Sequence, residues 1–126
     1  MKKIPLLLIV VSVILLFSCE KNYTGKIMFW FREPIAQQMA SRNVMEIRYY
    51  LDNVLVGTQD PGVFFSSAPQ CGAADLVTIT KELGNKISFS GSVKITDQDG
   101  GVLLHERINF SADECYILEL QSLLPE

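Results

Sequence analysis

One histidine, His105, and three cysteines are all that this chain of 126 residues offers of the side chains most used for metal binding and proton relay. A hydrolytic triad needs a histidine between nucleophile and carboxylate. His105 sits in a strand-like run between Leu104 and Glu106, where alternation turns it to the face carrying Leu103, Arg107 and Asn109. We therefore assign no catalytic residue, and the expectation is a non-enzymatic protein without a cofactor. A zinc site on Cys71 and Cys115 is also short of ligands, since two thiols with His105 as the only histidine do not make the usual set of four. No glycine-rich phosphate loop is present, because Gly57, Gly62, Gly72 and Gly84 stand singly at turns or strand ends. Asp97-Gln98-Asp99-Gly100-Gly101 spaces two carboxylates like a calcium loop, yet it runs into Val102 with no third oxygen ligand and no closing glutamate. It reads as a hairpin loop. Positive charge is scarce too: 11 Lys and Arg stand against 14 Asp and Glu, net −3, with no basic stripe. That balance speaks against nucleic acid, whose phosphates supply most of the affinity of its binders.

Long apolar runs are rare, with one exception at the N-terminus. Lys2 and Lys3 precede the predominantly apolar stretch Ile4 to Phe17, followed by Ser18 and Cys19. Fourteen residues span roughly 21 Å as a helix, short of the roughly 30 Å of a bilayer core. A charged start, a short apolar stretch and a small residue are the pattern of a secretory signal. The residues Leu16-Phe17-Ser18-Cys19 resemble the lipobox of bacterial lipoproteins, a resemblance that implies cleavage before Cys19 and acylation of its sulfur. On that reading residues 1–18 are a signal helix that is removed, 19–24 are the lipidated cysteine and a tether, and 25–126 are the domain. The partner implied by Cys19 is a membrane. Glu20 is not the aspartate that resembles an inner-membrane retention signal, so the expected destination is the outer membrane of a diderm bacterium, on its periplasmic or surface face.

Removal of the leader leaves 108 residues, enough for one domain with its own core, and shifts the net charge to −5 as Lys2 and Lys3 depart. Of the three cysteines, Cys71 and Cys115 remain as an even pair in an exported chain, and a disulfide between them is expected. Closing a loop of about 45 residues, it contributes on the order of 4 kcal/mol in the chain-entropy account.

After residue 24 almost every apolar run alternates with period two, and Gly, Asn, Asp and Pro punctuate between the runs. Lys26 to Arg32 sets Ile27, Phe29 and Phe31 on one face and Met28 and Trp30 on the other. Val44 to Leu51 sets Met45, Ile47, Tyr49 and Leu51 inward. Asp52-Asn53 suits a two-residue turn with positive φ at both positions, which would place Leu51 opposite Val54, Tyr49 opposite Val56 and Ile47 opposite Thr58. Val63 to Phe65 is a short run; Leu76 to Lys81 is a further strand. Ile87, Phe89, Gly91, Val93 and Ile95 form the clearest inward face. Val102 to Phe110 and Cys115 to Leu120 follow. Seven or so strands at this spacing predict an all-β, antiparallel two-sheet sandwich of immunoglobulin-like or transthyretin-like kind. Pro34 to Arg42 breaks the alternation and reads as a short helical turn with Pro34 near its start and Asn43 as its stop.

Trp30, Tyr50 and Tyr23 could form a flat aromatic platform for a glycan, and Ile35 and Met39 on the helical turn could form an apolar patch for a protein partner. The hairpin from Glu46 to Gly57 resembles those of PEGA-type and carboxypeptidase-regulatory-like sandwiches. The resemblance implies a structural or binding role at the cell envelope and transfers no functional residue. The expected function is a membrane-anchored lipoprotein that binds or scaffolds at the envelope. Its alternatives are a carbohydrate-binding module and an inhibitor or assembly partner of another envelope protein.

Overall fold

The computed structural model describes residues 21–126. Residues 1–20, with the leader and Cys19, lie outside the described residues. Seven strands and one helix follow one another as β1 (Tyr23–Phe31), α1 (Glu33–Ser41), β2 (Ile47–Leu51), β3 (Val54–Gln59), β4 (Thr78–Gly84), β5 (Ser88–Thr96), β6 (Val102–Ser111) and β7 (Cys115–Leu120). They build a three-stranded sheet ordered β4-β1-β7 and a four-stranded sheet ordered β3-β2-β5-β6. The all-β sandwich read from the alternation is thus present. The immunoglobulin order, with first, second, fifth and fourth strands in one sheet, is not. One pairing departs from a purely antiparallel arrangement: β1 runs parallel to β7, from Lys26 opposite Cys115 to Phe31 opposite Leu120.

The core lies between the sheets. Ile27, Phe29 and Phe31 of β1 meet Ile47, Tyr49 and Leu51 of β2 and Val93 and Ile95 of β5 in one buried cluster. Phe29 and Tyr49 stack across the two sheets, with ring centroids 4.4 Å apart and planes within 9°. Gly25 leaves room at one end of this cluster, where a Cβ would fall 2.5 Å from the Phe110 ring.

The hairpin turn forms at Asp52 and Asn53, both with positive φ, and Leu51 faces Val54 as expected. Beyond that pair the register slips, because a bulge between Tyr49 and Tyr50 places Tyr49 opposite Gly57 and Ile47 opposite Gln59. The slip sets the bare Gly57 where any Cβ would lie 2.8 Å from Val77 Cγ1. A second irregularity, between Ile95 and Thr96, buries Leu103 beside the half-buried Leu104.

Three further departures from the alternation follow. Met45 precedes β2 and is 76% exposed; Ile87 precedes β5 and is 69% exposed. Both lie just outside their strands, so the pleat does not aim them inward. Val63 to Phe65 forms no strand. The third difference is Trp30, which with Met28 is buried although both point away from the second sheet. In the parallel register Cys115, Ile117 and Glu119 share that outer face with Lys26, Met28 and Trp30. Cys71 is joined to Cys115 in the expected disulfide. The bond pins the 60–77 segment onto the outer face. The Phe65 amide adds a 3.0 Å hydrogen bond to the Phe31 carbonyl, and the Arg32 guanidinium donates to the Ser66 carbonyl.

Candidate functional site

The helical segment is one of two candidate surfaces that the sequence offers, beside the aromatic platform. Arg32 accepts the amides of Ile35 and Ala36 through its carbonyl to open α1, and Pro34 in the first turn costs no hydrogen bond. The helix stops as Asn43 predicts. Asn43 adopts φ 59°, its amide bonds the Ala40 carbonyl at 3.2 Å, and the Val44 amide bonds the Met39 carbonyl at 3.0 Å. This is the paired closure of a Schellman end, with buried Val44 and Met39 as its apolar contact.

The closure decides which stripe of the helix is free. Ile35 and Met39, expected as the exposed patch, are buried and belong to the core. Four residues apart, they share the inward stripe, and burial of each side chain stabilises the fold by about 1.5–3 kcal/mol. The neighbouring stripe, Ala36 and Ala40, instead lines an open depression of about 370 Å³ together with Val44, Met45, Asp60, Pro61 and Gly62. Two alanines make the hollow because their side chains end at Cβ. Asp60 spends one carboxylate oxygen on the Gly62 amide at 2.7 Å, which shapes the far wall. Gln98 fixes the near wall: its Oε1 accepts the Met45 amide at 2.9 Å and its Nε2 donates to the Asn43 carbonyl at 3.0 Å. The result is an apolar-floored hollow with a flexible, polarizable Met45 on its rim, suited to receive an apolar side chain of a partner. Sequence reasoning did not find Ala36, Ala40 or Pro61, since nothing in the chain announces that two alanines will face a proline far along it.

The aromatic platform is not assembled. Trp30 is 3% exposed, and the Arg32 guanidinium lies 5.1 Å from its ring centroid while pairing with Glu119 at 3.5 Å. A covered ring offers no face to a sugar. Tyr50 stands half-buried on the other sheet, with the Lys94 ammonium 5.1 Å from its centroid, and Tyr23 opens β1. Tyr50 thus lies on the other sheet from Tyr23 and Trp30, and the three do not build one exposed face.

His105 is exposed on β6 opposite Lys94. Among the described residues its side chain makes no hydrogen bond to a hydroxyl or carboxylate. The Asp97 to Gly101 segment is a hairpin loop, as expected. Asp97 Oδ1 accepts the amides of Asp99 and Gly101 at 2.9 and 2.8 Å, and Gly100 has φ 85°. No group of three or more potential metal ligands occurs among the described residues. The buried Tyr49 hydroxyl lies on the core side of β2, and desolvation pushes its ionisation above the ordinary phenol range.

No family model, curated protein or solved structure matches this chain.

Proposed function

We propose that this protein is a lipid-anchored envelope lipoprotein with a non-enzymatic role, binding a protein partner through the depression beside α1. The observation that carries the reading is the placement of the first strand. β1 opens at Tyr23, earlier than the tether boundary at residue 24 anticipates, and forms the middle of its sheet. Four residue steps from Cys19 reach at most roughly 14 Å. A lipid on Cys19 would therefore hold the domain against the bilayer at the Tyr23 end. At the other end of β1, which runs about 26 Å at roughly 3.3 Å per residue, α1 follows Phe31 and carries the depression on its side. Such an arrangement suits a binding module displayed from a membrane. The exposed Met45 and the alanine floor favour an apolar side chain over a glycan, which needs an open aromatic face.

Two measurements test this reading. Intact mass and membrane fractionation should find the protein starting at Cys19, carrying acyl groups and pelleting with membranes, while Cys19→Ser should release it. A wild-type protein found unacylated would overturn the anchor. A photoreactive side chain at position 45 in the native envelope should trap a discrete protein, and Ala40→Arg, which fills the hollow, should abolish that product. A product unaffected by Ala40→Arg would remove the depression from the argument.

A further inference from the structure

We infer that the turn after β4, carrying Lys86 and Ile87, is a second and non-covalent contact with the lipid surface, which stands the domain upright with its α1 end away from the bilayer. The inference rests on the anchoring reading above. It starts from where the chain leaves the described domain. Tyr23 pairs with Gly84, the Asp113 amide bonds the Thr24 carbonyl at 2.9 Å, and the Ala112 amide bonds the Ile87 carbonyl at 2.7 Å. The tether and the 85–87 turn thus leave the sandwich at the same end and side by side. Ile87 is 69% exposed there, within a turn otherwise made of Gly84, Asn85 and Lys86. Among the described residues, most of this side chain stays outside the packing. An isoleucine held within reach of a tether of roughly 14 Å meets the headgroup layer and the first acyl carbons.

The neighbours suit that surface. Half-buried Tyr23 carries an apolar ring and a polar hydroxyl, the combination favoured at membrane interfaces. Lys86 and Lys21 have long apolar stems with cationic ends that reach phosphate oxygens while Ile87 enters more deeply. Asp113 and Glu114 lie at the same end and set a limit on the attraction, so the contact depends on the covalent anchor to bring it to the surface. Once it is there, effective concentration makes a weak contact sufficient.

The test places a reporter in the full-length, acylated protein reconstituted into phosphatidylcholine vesicles whose acyl chains carry bromine, a short-range quencher of indole. Buried Trp30 provides a constant background. The added emission of Ile87→Trp should fall at least about twofold relative to unbrominated vesicles, and that of Met45→Trp should not change. Equal emission from Ile87→Trp in both vesicles, with the protein still pelleting with lipid, would overturn the contact and leave the anchor standing. Equal quenching at positions 87 and 45 would overturn the upright orientation. Wild-type protein recovered free of the vesicles would overturn the anchor and, with it, this contact.

Discussion

Gln98 holds Met45 in place although the two are distant in sequence: its amide oxygen accepts the Met45 backbone N–H at 2.9 Å while its amide nitrogen donates to the Asn43 carbonyl at 3.0 Å. One side chain therefore ties the β5–β6 loop to the segment between α1 and β2, and it does so at the rim of the candidate site. Two exposed hydrogen bonds of this kind contribute about 1 kcal/mol each at most. Gln98→Ala should lower the unfolding free energy by about 1–2 kcal/mol in denaturant titration. It should also accelerate hydrogen exchange at the Met45 amide more than at amides of β5. Unchanged exchange at Met45 would mean that the segment is held by α1 alone.

The disulfide supports a second prediction with two separable readouts. Replacing Cys71 and Cys115 together by serine frees the 60–77 segment from the outer face of β1. Stability should fall by on the order of 4 kcal/mol through the larger entropy of the unfolded chain. Trp30 should also shift its emission to longer wavelength and become accessible to acrylamide, because that segment is pinned over its side of the sheet. Loss of stability with an unchanged tryptophan spectrum would show that Arg32 and Glu119 cover the ring without the segment's help.

How far the fold was legible follows from which information is local. Alternation reads correctly where one face of a strand is wet: Tyr49 and Leu51 of β2, and Val93 and Ile95 of β5, are buried as their parity implies. It fails at Trp30 because a segment distant in the chain is held to that side of the sheet by the Cys71–Cys115 bond and the Phe65–Phe31 hydrogen bond, which no pattern within β1 can announce. It also fails at Met45 and Ile87, since parity says nothing about where a strand begins. The Asp52-Asn53 turn was legible from its chemistry, yet the bulge beside Tyr49 was not, because it answers to contact between Gly57 and Val77 on separate elements. The helix and its stop at Asn43 were readable; its inward stripe was not, because both Ile35 and Ala36 fit a nine-residue helix until the sheet beneath it is known. For that reason the expected patch at Ile35 and Met39 moved by one position, to Ala36 and Ala40.

The core stack of Phe29 on Tyr49 can be probed by truncation. Phe29 is fully buried and its ring lies within 4.4 Å of its partner's centroid. Phe29→Ala should cost about 3–5 kcal/mol, combining lost burial with a cavity that two facing sheets cannot close. Phe29→Leu retains most of the volume and should cost clearly less. A similar loss from both variants, measured by denaturant unfolding, would place the energy in ring stacking instead of in filled space.

Tyr49 makes the fold sensitive to alkali in a direction that can be worked out. Its phenol is buried without a hydrogen-bond partner among the described residues, and desolvation holds its ionisation above the ordinary value of 10. Above pH 10 the unfolded chain gives up the phenolic proton while the folded chain keeps it, so rising pH favours unfolding. Stability from this group is intact below about pH 10 and declines above it by about 1.4 kcal/mol per pH unit. Tyr49→Phe removes the proton altogether. Relative to the native chain, the variant should be equal or more stable at pH 8, because an unpartnered hydroxyl leaves the core. Its advantage should grow by about 1 kcal/mol between pH 10 and 11. A constant difference across that interval would show that Tyr49 ionises as easily in the fold as in the unfolded chain, and that the core beside Phe29 admits water.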